Sequence, residues 1–262
     1  MPINNGLLKE DEFVYFLNRK KADVLSANLK NMLRALFGIV DPKLLIYCKK
    51  TVNYIKPDII IRHRKIEKAV SLKSGRSQVL HNEQIKPFIL FLRSLGVSKR
   101  TQQTILLFHY GDGTMDGTGE KRYSQADITK KLGDRIQAAN YELNKDLSLI
   151  EKFVDRIIFD GVDPEARKAD AIYYGDVEKG VVVTREQMKK HLAAKDWSFY
   201  DILHIGPIAL TAGARYVDRP IKNEKKRHTI ECYWPRFAAD MEYISKRYNC
   251  YHTPYLQKAP AK

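Results

Sequence analysis

The chain has 262 residues, 44% of them hydrophobic, with 46 Lys and Arg against 31 Asp and Glu, a formal charge of +15. Such a composition supports a sizeable core, excludes a disordered chain, and suits one large domain or two small ones. The basic excess points to an anionic partner, nucleic acid first. Three well-separated cysteines (Cys48, Cys232 and Cys250) suggest neither a disulfide framework nor a zinc site, so a cytoplasmic protein with reduced thiols is expected.

The first residues, MPINNGLLKEDEF, hold no apolar run behind basic residues, so no signal peptide is expected. No stretch approaches the roughly 20 apolar residues of a membrane span. Leu25, Leu29, Met32, Leu33, Leu36 and Phe37 recur at helical spacing with Gly38 as a stop, giving a helical N-terminal part from Leu7 to Phe37 with a break. Ile59–Ile61 and Ala69–Leu72 read as short strands. Ile85, Phe88, Ile89, Leu92 and Leu95 form a helix face, and Thr104–Tyr110 (TILLFHY) reads as a third, buried strand. The order helix, strand, strand, helix, strand implies an α/β core. Gly111–Arg122 lacks the GxxxxGK[ST] pattern and reads as a plain loop.

Ser124 with Asp127 caps a short helix, and a long helical stretch follows through Ile136, Leu143, Ile150 and Val154. Residues 161–168 make a boundary, dividing the chain into 1–165 and 166–262. Beyond it, Ala171–Tyr174 and Val181–Thr184 are short strands, and Thr184 with Gln187 caps a helix to about Ala194. Ile202–Thr211, interrupted at Gly206-Pro207, and Thr229–Trp234 read as strands. Pro235–Tyr248 is a final helix, so the C-terminal part is basic and α+β.

Chemistry concentrates in KPDIIIRHRKIEKAVSLKSGRSQVLHNEQ, residues 56–84. If the hairpin turns near His63–Lys68, Asp58 pairs opposite Ser71 or Lys73. Residues two apart share a strand face, so Asp58, Ser71 and Lys73 point one way. Ile59, Ile61, Val70 and Leu72 then face the core. A carboxylate holding Mg²⁺ beside a lysine is the equipment of phosphodiester hydrolysis: the metal polarises the phosphate and the lysine serves the attacking water. One carboxylate is seldom enough, so a second acid is expected.

Pro57-Asp58, followed by a strand that ends at Lys73, resembles the PD-(D/E)xK nuclease superfamily over roughly residues 55–110. Ser71 stands where that family usually has Asp or Glu. A branch of restriction enzymes has Ser-x-Lys there, with the carboxylate moved to the following helix, and SLKSGRSQVLHNEQIKPFILFL is similar to it. The resemblance implies a restriction-endonuclease-like core, a mixed sheet flanked by helices. It also implies Asp58 and Glu83 as Mg²⁺ ligands (with Mn²⁺ as a substitute metal) and Lys73 as the catalytic lysine. Glu67, in the hairpin turn, is a weaker second acid, and Glu10 or Glu12 of the first helix is a further metal contact. Gly75 permits close approach of a phosphate that Arg76 would hold, and His81 and Gln84 are candidates for contact with a metal-bound water.

Arg215, Arg219, Lys222, Lys225, Lys226, Arg227 and His228 lie between two strands near Tyr216, Tyr233 and Trp234, a composition suited to DNA contact. The sequence therefore reads as a Mg²⁺-dependent endonuclease of double-stranded DNA, a type II restriction enzyme acting as a homodimer. The alternatives are a repair or junction-resolving nuclease of the same fold, and a DNA-binding protein without catalysis.

Overall fold

A computed structural model describes residues 5–51, 56–75, 78–120, 122–197, 201–213 and 224–248. The chain is α/β and forms two compact units, each discontinuous in sequence: Met1–Arg76 with Phe159–His191 and Phe237–Lys262, and Ser77–Ile158 with Leu192–Arg236. Sequence had suggested one boundary, near residue 165. The chain instead passes back and forth between the units.

The first unit opens with helices α1 (Asn5–Leu17) and α2 (Ala27–Phe37) and the short strand β1 (Lys20–Lys21). Ser26 caps α2 by accepting the Leu29 N–H at 3.3 Å, and Gly38 ends it with φ 71°. Strands β2 (Leu45–Lys50), β3 (Ile59–His63) and β4 (Ile66–Lys73) follow, and then, from later in the chain, β6 (Ala171–Gly175) and β7 (Gly180–Thr184). Their order in the mixed sheet is β1-β2-β3-β4-β6-β7; β4 and β6 are parallel and the other neighbours antiparallel.

One face of this sheet buries Ile46, Ile59, Ile61, Val70 and Tyr173 against Phe13 and Leu17 of α1 and Leu29, Met32 and Leu33 of α2. Ile59 and Ile61 thus point coreward, and Leu72 packs against the same core. Helices α8 (Arg185–Ala193) and α10 (Phe237–Tyr248) complete the unit, α10 packing on β7. The start of α8 is a reciprocal capping box: the Thr184 N–H donates to Gln187 Oε1 at 2.8 Å, and the Gln187 N–H to Thr184 Oγ1 at 3.3 Å.

The second unit holds an antiparallel sheet, ordered β5 (Val79–Gln84), β10 (Thr229–Tyr233), β9 (Ile208–Ala212) and β8 (His204–Ile205). Its helices are α3 (Ile85–Ser94), α4 (Lys99–Tyr110), α5 (Gln125–Lys131), α6 (Gly133–Asn144), α7 (Leu147–Val154) and the short α9 (Glu224–Arg227). After α7 the chain runs through a wider π-helical segment, Asp155–Asp160.

Three expectations need correction. Thr104–Tyr110 is the end of helix α4, not a strand. Its buried Thr101, Thr104, Ile105 and Phe108 have helical spacing. Ser98 caps its start, and Glu142 of α6 accepts from the Ser98 N–H, Ser98 Oγ and Thr101 Oγ1, each at 2.6 Å. A carboxylate at a helix N-terminus satisfies N–H groups that a strand would present elsewhere. The segments Leu45–Lys50 and Val79–Gln84 are strands the sequence did not announce. Glu67 lies on β4 opposite Arg62, because the hairpin turns tightly at Arg64 and Lys65.

Candidate active site

The Asp58 carboxylate is held by the hairpin that carries it. The Asp58 N–H donates to Val70 O at 3.1 Å, and Ile59 faces Val70, so Asp58 stands opposite Ser71. Ser71, buried at 1% exposure, donates its Oγ–H to Asp58 Oδ2 at 3.0 Å, and the Leu72 N–H donates to the same oxygen at 2.5 Å. The strand entry is tied as well: the Thr51 N–H donates to Asp58 O at 3.1 Å, and Thr51 Oγ1 donates to Pro57 O. Among the described residues Asp58 Oδ1 accepts no hydrogen bond, so one carboxylate oxygen is fixed and the other remains open.

Lys73 ends β4, two residues beyond Ser71 on the same face. Burial holds its ammonium below the ordinary lysine range, and the nearby Asp58 charge only partly opposes that. A lysine so placed gives up its proton more readily than one in water. Its partner in register on β6 is Tyr174, whose hydroxyl donates to Gly75 O at 3.0 Å. Gly75 has φ +82°, a left-handed backbone that favours glycine, and a Cβ there would meet nothing within 4 Å, so its surroundings are open.

The second carboxylate coupled to Asp58 is Glu10 of α1. Burial, and after it the Asp58 charge, raise the Glu10 carboxyl above the usual range, while Lys50 pulls it down. Lys50 Nζ lies 3.6 Å from Glu10 Oε2 and 3.0 Å from Asp11 Oδ1. Helix geometry separates the two sequence candidates: residues 10 and 12 stand about 200° apart around a helix, so both cannot face one site. Glu10 is the one that feels Asp58. Among the described residues, no group of three or more His, Cys, Asp or Glu is gathered for a metal. A pair of mutually repelling carboxylates still fits Mg²⁺, which binds through one or two carboxylates and fills its remaining positions with water and substrate phosphate.

Glu83 belongs to the second unit and lies on strand β5, opposite Ile230, rather than on the helix that follows. It makes a two-pronged ion pair with Arg156, 2.6 Å from Nη2 to Oε2 and 3.3 Å from Nε to Oε1. His81 Nε2 is 3.5 Å from Oε1, too long for a strong hydrogen bond, so Arg156 is the partner that matters. Burial pushes the Glu83 carboxyl up, yet these partners outweigh it and hold the carboxyl below the usual range. The Arg156 guanidinium in turn stacks 4.3 Å from the Phe91 ring centroid. Gln84 Nε2 donates to Thr229 Oγ1 at 3.1 Å within the same sheet.

Glu67 is ion-paired to Arg167 at 2.9 Å. It sits four residues from Ser71 along β4, about 13 Å at the usual strand rise of ~3.3 Å. That distance removes it as a partner of Asp58.

Of the basic residues expected to contact DNA, Arg76 after β4 and, in the C-terminal segment, Arg215, Arg219, Lys222 and the side chain of Lys225 lie outside the described residues. Lys226 is exposed. Arg227 is drawn inward, with Nη2 3.5 Å from Asp112 Oδ2 and from Gly119 O in the 111–120 loop. The adjoining His228 Nδ1 bonds the Tyr110 hydroxyl at 2.8 Å. This end of the segment braces a loop instead of projecting from it.

No helix among the described residues is long and apolar enough to cross a membrane. In comparison with known proteins, the chain matches no family model and no curated relative.

Proposed function

We propose that the protein is a Mg²⁺-dependent endonuclease of double-stranded DNA with a restriction-endonuclease-like catalytic unit. The observation that carries this reading is the cluster at one end of the six-stranded sheet: Asp58 anchored by Ser71, Glu10 repelled by Asp58, and Lys73 with a lowered proton affinity. The net charge of +15 supplies the attraction to a polyanion.

In this reading Asp58 and Glu10 would hold the metal. Bound Mg²⁺ would supply positive charge against the scissile phosphate and acidify an attacking water. Lys73 would orient an attacking water and take up its proton, or offset negative charge as it develops on the phosphate. Ser71 and the Leu72 N–H keep the Asp58 carboxylate from turning away. Glu83, which the sequence pattern offers as the displaced acid, is engaged by Arg156, so Glu10 is the stronger candidate for second ligand.

A homodimer would bring two such centres to the two strands of a duplex, and restriction of foreign DNA is the role that suits it best. The test is incubation with plasmid and linear duplex, with and without Mg²⁺. The reading holds if cleavage requires the metal and disappears in Asp58→Asn and Lys73→Ala while DNA binding persists. Full activity in either variant refutes it. Preference for branched over linear duplex would identify a repair or junction-resolving enzyme instead.

A further inference from the structure

The face of the sheet that carries Asp58 continues well beyond it. On β3, Asp58, Ile60 and Arg62 alternate on one side, away from the core side of Ile59 and Ile61. Across the ladders, Tyr47 stands opposite Arg62 and Lys49 opposite Ile60. Directly opposed residues share a face. Lys49, Tyr47 and Arg62 therefore lie on the same side of the sheet as Asp58, Ser71 and Lys73, and all three are exposed.

A pocket of about 290 Å³ opens here, with Asn18, Arg19, Tyr47, Lys49 and Arg62 in its lining. The Arg62 guanidinium sits 4.7 Å from the centroid of the Tyr47 ring, a cation–π contact at the exposed surface. The acidic residue in the lining, Glu67, is claimed by Arg167; that hydrogen bond, with the charges of Lys49 and Arg62 nearby, holds its carboxyl below the usual range. Among the described residues no ion pair engages Arg19, Lys49 or Arg62, so their positive charge is left over. Arg19 also has φ 57°, a left-handed backbone that non-glycine residues seldom adopt, in the turn joining α1 to β1. Its N–H donates to Ile46 O at 2.7 Å, which fixes the turn that carries the exposed Arg19 side chain.

We propose that this face is a track for the nucleic-acid backbone, on which Arg62, Lys49 and Arg19 hold phosphates flanking the scissile one at Asp58 and Lys73. The direction of the track rests on the nuclease reading; its occupancy by nucleic acid rests on charge complementarity. Arg62 lies four residues from Asp58, about 13 Å along the strand, or roughly four base pairs at ~3.4 Å each. The contacts therefore lie about four base pairs from the cut and read no base sequence.

The test is a triple variant, Arg19→Ala, Lys49→Ala and Arg62→Ala, whose side chains are all outside the core. A control triple replaces the exposed Lys99, Arg100 and Lys145 of the second unit. Binding of a short labelled duplex is measured by anisotropy in EDTA between about 50 and 200 mM salt. The track variant is expected to bind at least about tenfold more weakly, with the slope of log K against log salt reduced by about 2.7, or ~0.9 for each phosphate contact. With Mg²⁺ and saturating duplex it should still cleave. Affinity and slope equal to those of the control triple would overturn the track while leaving the nuclease reading intact. A wild-type protein that binds through these residues yet cuts nothing would keep the track and end the nuclease reading. A wild type with no affinity for duplex or single strand would overturn the track and leave the face to an acidic protein.

Discussion

Ser71 Oγ and Asp58 Oδ2 are joined by a 3.0 Å hydrogen bond across the β3–β4 ladder. The serine that stands where the resembled nucleases carry an acid is thus a support for the remaining acid. Groups that orient a metal-binding carboxylate usually contribute about 10- to 100-fold to affinity or activity. Ser71→Ala should therefore lower cleavage by a factor in that range and raise the Mg²⁺ concentration needed for half-maximal rate. Fold stability should change by only about 1 kcal/mol, the worth of one buried hydrogen bond. A variant with wild-type Mg²⁺ dependence would show that Asp58 needs no such support.

The lowered proton affinity of Lys73 fixes a direction for the pH profile. A neutral amine takes up a proton and an ammonium does not. The rate should rise about tenfold per pH unit and level off below pH 10.5, the ordinary lysine value. Lys73→Arg, which stays charged, should lose the ascending limb together with most of the activity. The same shift has a stability sign. Between the folded and unfolded pKa values the unfolded chain binds more protons at this site, so the Lys73 contribution to stability improves as pH rises through that window. A pH profile that keeps its ascending limb in Lys73→Arg would assign that limb to another group.

Glu83 and Arg156 make a test that separates structure from chemistry. Their side chains are 7% and 15% exposed. Removing one member of such a buried pair leaves the other charge uncompensated, at a cost of about 3–5 kcal/mol. Glu83→Gln should lower Tm by several degrees and, below that temperature, still cleave. Glu10→Gln should do the opposite, retaining Tm and losing at least about 100-fold in metal-dependent rate. A stable but inactive Glu83→Gln beside an active Glu10→Gln would restore Glu83 as the second metal ligand. Glu67→Ala, about 13 Å along the strand from Ser71, should change the rate little.

The hairpin was legible because its signals are local. IIIRH and AVSLK are short apolar runs of strand type, the pleat of a strand fixes which of their side chains share a face, and the opposition of Asp58 and Ser71 follows once the turn is short. The caps at Ser124 and Thr184 were legible for the same reason. What could not be read depends on distant partners. TILLFHY is apolar enough for a strand or a helix, and Glu142, 41 residues from Thr101, secures the start of the helix that contains it. VLHNEQ has weak strand character and is held by pairing with β10 from far along the chain. Glu83 looked available because no local feature announces Arg156, 73 residues away. Glu10 carried a usable signal, a carboxylate on the first helix, but choosing it over Glu12 required the helix orientation.

The coupling of Glu10 to Asp58 yields a final prediction in which proton and metal compete. A carboxylate binds a cation only when ionised, and the Glu10 carboxyl is raised from 4.5 by burial and by the Asp58 charge. Mg²⁺ affinity should therefore begin to weaken at a higher pH than it would with an ordinary glutamate, whose carboxyl is half charged at 4.5. Asp58→Asn removes one ligand but also one of the two influences, after burial, that raise the Glu10 carboxyl. Residual Mg²⁺ binding in that variant should be weaker overall, and its pH dependence should move toward lower pH. Glu10→Gln should abolish the pH dependence in this range. Calorimetric titration of Mg²⁺ across pH 5–7 into the wild type and both variants measures all three curves. Identical pH dependence in the wild type and Asp58→Asn would mean that the two carboxylates do not share a metal, and the candidate site would lose its second ligand.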